Sequence, residues 1–201
     1  MTDEKKEKLL QAATALFADE GYDRVSIRKI ADAAGVNSAM ISYYFGGKQG
    51  LYDAVIKTQL APVLAFVEED RSRLDPRDVI RSYADHMLRI HQSQPHLLAY
   101  IFREFIMPSG REVHYFQSIG PKLFGLLSSA LTRGVEEGIF RPDLDIPATA
   151  ILLAGMVNFH YLTQQPRQHL GISTVQTLSE KRYLTQAVDV FLRGIERRDL
   201  P

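Results

Sequence analysis

Apolar residues recur at helical spacing through nearly the whole chain. Leu9, Ala12, Ala13, Leu16 and Phe17 fall at i, i+3, i+4, i+7 and i+8, one stripe of an amphipathic helix predicted over residues 3–20. Asp3 and Glu4 suit the positive end of its dipole, and Gly21 suits its stop. Ser26 is a good N-cap for a short helix with Ile27, Ile30, Ala31 and Ala34 as its buried stripe and Gly35 as its end. Asn37 caps a third helix over 38–45, which Gly46-Gly47 breaks. A fourth starts near Lys48 and continues past Leu60, with Pro62 placed to kink it. Longer helices follow over 76–92, 95–107, 113–137, 146–165 and 179–197, and Gly120-Pro121 is expected to kink or split the third of these. Pro108-Ser109-Gly110, Pro142-Asp143 and residues 166–171 read as loops. No run alternates apolar and polar residues, and no Asn-Gly or Asp-Gly hairpin turn occurs. The fold class is therefore all-α. The expected organisation is an N-terminal three-helix domain over 1–50 and a C-terminal helical bundle over 51–201.

The chemistry concentrates in residues 26–48. Two short helices joined by Ala34-Gly35-Val36 have helix-turn-helix organisation. Ile27, Ile30, Ala31, Val36, Ile41 and Phe45 can form a small core with Leu16 and Phe17, which turns Ser38, Ala39, Met40, Ser42 and Tyr43 outward. Short side chains let a helix sit deep in a major groove. Ala39 and Met40 can touch thymine methyls, while Ser38 and Ser42 can bond base edges. Tyr44 and Lys48 stand at the far end, where a hydroxyl and an ammonium can hold phosphates, with the start of the next helix to assist. Plainer roles stay open: Ser26 as a cap alone, Arg28 with Lys29 as a solvated face, Tyr44 as core and Lys48 as surface.

Charge limits this picture. Lys+Arg and Asp+Glu are each 24 in a chain of 201 residues, so the formal net charge is zero. Residues 1–50 hold seven basic and seven acidic side chains. A basic coat for indiscriminate nucleic-acid binding is excluded, though a local patch is not. There is no Cys, hence no disulfide, thiolate metal site or Cys nucleophile. His86 and His91 are five residues apart, about 140° around a helix, so they share no face. HExxH, G-x-S-x-G, Walker A and G-x-G-x-x-G are all absent, which leaves no catalytic residue, metal site or cofactor to assign. The N-terminus has no secretory h-region, and the uncharged stretch 146–166 carries Asn158, His160, Gln164 and Gln165, which suits a buried helix better than a membrane span. A cytoplasmic location without membrane attachment is expected.

Three stretches carry a family resemblance. They are Leu16-Phe17-Ala18-Asp19-Glu20-Gly21-Tyr22, then Val25 through Val36, then Ile41-Ser42-Tyr43-Tyr44-Phe45-Gly46-Gly47-Lys48-Gln49-Gly50-Leu51-Tyr52. Together they resemble the DNA-binding domain of the TetR family of bacterial transcriptional regulators, over about the first quarter of the chain. The resemblance implies an Ω-like homodimer, a ligand-binding C-terminal domain and repression relieved by a small molecule. It places Ser26 and Arg28 where family members contact DNA from the second helix. Ser38 to Tyr44, apart from Ile41, occupy the recognition helix, with Asn37 at its entry, and Lys48 matches the family's phosphate-binding lysine. Ser42 departs from the pattern, since members often carry an aromatic residue there; its anchoring role passes to Tyr43 or Tyr44. A family member of the same fold controlled by a protein partner, in a nucleoid-associated or division-control role, is the alternative.

The C-terminal part is less specific. Phe66, Met87, Tyr100, Phe105, Phe124, Met156 and Phe159 are either ordinary core or the lining of a largely apolar effector pocket, with Tyr100, Asn158, His160 and Tyr161 as its polar groups. The helix over 146–165 is apolar all round. Ala148, Ile151, Leu152, Gly155, Met156 and Phe159 form one stripe; Ala150, Leu153, Ala154, Val157 and Tyr161 form another. One stripe must face the chain's own core and the other a partner. We expect the second, with Val188 and Phe191 of the last helix, to make the dimer contact; in the family the last two long helices pair in this way.

Overall fold

The computed structural model describes residues 2–106, 113–163 and 179–197, with side chains described except at 2, 3, 104–106 and 113–116. The described residues form nine helices: α1 (Thr2–Glu20), α2 (Ile27–Ala34), α3 (Ala39–Phe45), α4 (Lys48–Glu68), α5 (Pro76–Ser93), α6 (Leu97–Ile106), α7 (Val113–Glu136), α8 (Ile146–Leu162) and α9 (Glu180–Ile195). Among these residues there are no strands. An isolated bridge, Phe140 to Glu196, ties the turn after α7 to the end of α9, with Arg141 N–H donating to the Ile195 carbonyl at 2.9 Å. The all-α expectation holds. The loops expected at 108–110 and 166–171 lie outside the described residues.

The chain divides into two compact units. The first comprises residues 1–64 and 94–117, the second 65–93 and 118–201. The division falls inside α4, and α6 belongs with the N-terminal helices. In the first unit, Leu9, Ala13, Phe17, Ile30, Ile41, Leu51 and Val55 are buried together. An aromatic group joins them: Phe17 meets Tyr52 edge-on at 5.0 Å, and Tyr22 meets Tyr52 at 4.9 Å. α6 is fastened to α1 by two side chains that take main-chain acceptors. The Tyr100 hydroxyl donates to the Thr14 carbonyl at 2.6 Å, and Arg103 donates to the Ala18 carbonyl at 2.7 Å.

In the second unit, α9 packs on α5 and α8, and α5 packs on α8. Their inward faces supply Val79, Ile80, Tyr83, Met87, Leu153, Val157, Leu184 and Phe191. Neither internal proline breaks its helix. α4 continues through Pro62, and α7 continues unsplit through Pro121, where a kink or a split was expected. Gln117, Gly120 and Pro121 are all exposed, so water can reach the Gln117 carbonyl that Pro121 leaves without a donor.

Candidate nucleic-acid interface

The Ser26 Oγ accepts from Lys29 N–H at 3.1 Å and starts α2; Gly35, at φ 63°, ends it in the left-handed conformation. Asn37 caps the next helix, its Oδ1 accepting from Ala39 N–H at 2.8 Å, while Ser38 makes no side-chain cap. Ile41 is the one fully buried side chain of α3, with Phe45 half-buried beyond it. Asn37, Ser38, Ala39 and Ser42 are exposed, and Tyr43 is 74% exposed, the largest apolar surface on this helix. Met40 and Tyr44 are half-buried, and the Tyr44 ring meets Tyr43 edge-on at 5.0 Å. The outward set foreseen for Ser38, Ala39, Ser42 and Tyr43 is thus the set the backbone presents, with Met40 at its margin.

Two basic side chains flank this helix in different ways. Lys48 stands with Nζ 4.2 Å above the Tyr22 ring, a cation–π contact that fixes the ammonium beside the α3–α4 junction. Arg28 points to solvent, its guanidinium 4.0 Å from Asp32 with both side chains almost fully exposed. Lys29 is drawn instead to Glu20 at the end of α1, at 2.6 Å. Nothing in the sequence signalled the Tyr22–Lys48 pairing, because the two are separated by the whole helix-turn-helix.

The C-terminal candidates disperse. Phe66 and Met87 are buried in the second unit, where Phe66 lies between the Arg71 guanidinium at 3.8 Å and the His86 ring at 4.2 Å. Tyr100 belongs to the first unit and commits its hydroxyl to Thr14. Phe124 is 40% exposed, Phe159 is 61% exposed, and Met156 is half-buried. The Phe105 side chain lies outside the described residues. Two grooves in the second unit, of about 430 and 510 Å³, are lined by none of the described candidates.

A polar cluster stands in the second unit instead. The His91 Nε2 lies 3.2 Å from Asn158 Oδ1; the Asn158 amide donates to the Ala154 carbonyl at 2.9 Å and to the Tyr83 hydroxyl at 3.3 Å. The His91 and Tyr161 rings approach to 3.8 Å, and His160 stacks on Tyr183 at 4.6 Å. Burial pushes the Tyr83 hydroxyl up to about 12, partly offset by Asn158. Burial also raises the Tyr161 hydroxyl, and the Glu180 carboxylate adds to this. Burial holds His91 below its usual range, against the upward pull of Asn158 and Glu180. Asn158, His160 and Tyr161 were foreseen as polar groups; His91 and Tyr83 were not, because each reads as an ordinary helix position until α5 and α8 are brought together.

The residues expected at the dimer contact lie mostly inside their own unit. Leu153 and Val157 are fully buried within their own unit, Val188 and Phe191 are nearly so, and Tyr161 is half-buried. The outward stripe of α8 is the other one: Ile151, Leu152 and Phe159 are 63%, 62% and 61% exposed, and Val190 of α9 is 51% exposed. Two equally apolar stripes gave no basis for choosing. The choice is made by Asn158 and His160, which flank Val157 and find their partners on α5 and α9, turning the face between them inward.

The comparisons with known proteins fit this geometry. Residues 9–55 match the model of bacterial regulatory proteins of the tetR family, and residues 76–191 match a tetracyclin repressor-like C-terminal domain. The chain is 24% identical over 199 residues to the HTH-type transcriptional repressor NicS of Pseudomonas putida, covering 97% of this chain and 94% of that one. It is 27% identical over 173 residues to the repressor SCO4008 of Streptomyces coelicolor, covering 82% of each. A TetR family regulator from Chloroflexus aurantiacus has the same fold, with a TM-score of 0.73 at 23% identity over 98% of this chain and 95% of that one. Regulators of this family bind DNA operators and small-molecule effectors and are not enzymes. With an exposed recognition helix on a capped helix-turn-helix and a matching helical C-terminal domain, the chain belongs to the TetR family of helix-turn-helix transcriptional regulators.

Proposed function

We propose that this protein is a cytoplasmic, homodimeric repressor that binds a pseudo-palindromic operator and is released by a small, largely apolar molecule. The observation that carries the DNA reading is the seating of α3. One fully buried side chain, Ile41, holds a helix that leaves Ser38, Ala39, Ser42 and Tyr43 facing solvent. In that reading residues 1–50 recognise DNA. Ser38, Ala39, Ser42 and Tyr43 read base edges, with Met40 at the margin and Asn37 at the helix entry. Ser26, Arg28, Tyr44 and Lys48 meet phosphates.

Residues 51–201 supply the effector and dimer functions. The exposed stripe of Ile151, Leu152 and Phe159, with Val190, supports an isologous contact between copies, whose two-fold axis suits a palindrome. Relatives named as repressors support repression over activation. An effector can release DNA only to the extent that it binds one arrangement of the dimer better than the other.

Selection from a random duplex pool tests the proposal. The expected result is an enriched palindrome with half-site centres about 34 Å apart, or a multiple of that. No enrichment by the folded protein sinks it.

A further inference from the structure

The Tyr83–Asn158–His91–Tyr161 cluster leaves hydrogen-bonding capacity unused in the interior of the second unit. Both Asn158 N–H groups are used, on Ala154 and Tyr83, and its oxygen accepts from His91. That fixes the His91 proton on Nε2, so Nδ1 carries a lone pair. The Tyr83 oxygen accepts from Asn158, and its own proton has no acceptor among the described residues. The Tyr161 hydroxyl oxygen is buried and has no partner among the described residues. Buried polar groups are almost always satisfied, and a phenol that is not points to an atom absent from the chain.

The surroundings narrow what that atom belongs to. Met87 lies one turn from both Tyr83 and His91 on α5 and is buried, as are Leu153 and Val157 on α8. The polar groups therefore sit against an apolar wall. Among the described residues, the Glu180 carboxylate acts on both His91 and Tyr161, and His160 acts on His91 as well. An anionic ligand would meet a negative charge and an imidazole that burial keeps neutral.

We propose that this cluster is the polar end of the effector site and takes a neutral carbonyl compound, whose oxygen accepts the Tyr161 hydroxyl proton. This rests on the reading of the protein as an effector-released regulator and names the chemistry of that effector. Neither groove in the second unit is lined by a member of the cluster. A ligand that binds the cluster better when α5 and α8 are parted selects an arrangement other than the one described, as a releasing effector must.

The test uses the full chain and three probes of similar shape: acetophenone, ethylbenzene and benzoate. Each is titrated by saturation-transfer NMR against wild type and Tyr161→Phe. Acetophenone is expected to bind wild type at least about tenfold tighter than ethylbenzene, and benzoate no tighter than ethylbenzene. In Tyr161→Phe the preference for acetophenone should fall to near unity. That variant removes an unpartnered hydroxyl and keeps the ring, so its thermal stability should match or exceed wild type. A preference that survives in Tyr161→Phe overturns the proposal, as does a preference for benzoate or failure of acetophenone to bind. Duplex selection is run on the same preparation. Enrichment of a palindrome without acetophenone binding overturns this inference and leaves the regulator reading standing. Failure to enrich any duplex strikes at that reading itself.

Discussion

The carbonyl oxygen of Phe45 lies 1.8 Å from the point where a β-carbon on Gly50 would stand. The last turn of α3 and the first turn of α4 thus approach so closely that no side chain fits between them. The recognition helix is positioned by backbone against backbone at this junction, beside the Lys48 ammonium held over Tyr22. Gly50→Ala must push the two turns apart. We expect a loss of roughly 1–3 kcal/mol in urea unfolding, as for other overpacked sites, with operator affinity falling further than stability alone explains. Gly125→Ala on α7, where an added β-carbon meets nothing within 4 Å, is the control and should be neutral or slightly stabilising. Equal behaviour of the two variants would refute the close approach.

Lys48→Ala and Tyr43→Ala should fail in distinguishable ways. Lys48 is proposed to hold a phosphate, so its loss should weaken all duplexes alike and reduce the salt slope by about 1. Tyr43 is the most exposed large side chain of α3 and is proposed to touch a base. Its loss should relax preference at one half-site position, by roughly 1–3 kcal/mol. Binding measured across single-base variants of the selected site separates the two. A sequence-independent loss in both would move Tyr43 to the backbone.

Helix positions were largely legible in the sequence because caps and breakers are local. Ser26, Gly35, Asn37 and Gly46 each act within a few residues, and the structure uses each where the pattern put it. The outward face of α3 was legible for the same reason: a seven-residue helix with one large aliphatic residue, Ile41, has one way to sit. Facing within the second unit was not. α8 is apolar on both sides, so its orientation depends on partners far along the chain, such as His91, 67 residues from Asn158. Aromatic content likewise gave no means of telling Tyr100, bonded to Thr14, from Tyr83 in the second unit's core.

His91 should make stability depend on pH. Its folded value is depressed, so below the ordinary histidine range the unfolded chain binds the proton more readily. The contribution is complete above about pH 6.5 and is lost as pH falls toward the folded value. The titratable groups around it are Tyr83 on its own helix, His160 and Tyr161 on α8, and Glu180 on α9. Glu180 opposes the shift and limits its size. His91→Gln should therefore lose less melting temperature than wild type between about pH 7 and pH 5. Parallel pH profiles in calorimetry would remove His91 from the acid sensitivity.

The α8 assignment makes the sharpest prediction about assembly, because two substitutions one half-turn apart should have opposite consequences. Val157 is fully buried within its own unit, whereas Phe159 is 61% exposed beside Ile151 and Leu152. Val157→Arg places an unpaired charge in the core and should cost several kcal/mol, which lowers helical content and melting temperature whatever the oligomeric state. Phe159→Arg adds its charge on the outward stripe, where a lone chain tolerates it and a two-fold contact meets it twice. That variant should keep its helical signal and thermal unfolding in the monomer, run at half the wild-type mass in light scattering, and lose operator affinity because each half-site is then bound alone. A dimeric Phe159→Arg protein would move the contact off this stripe. A monomeric wild type would remove the contact, and the paired half-sites with it.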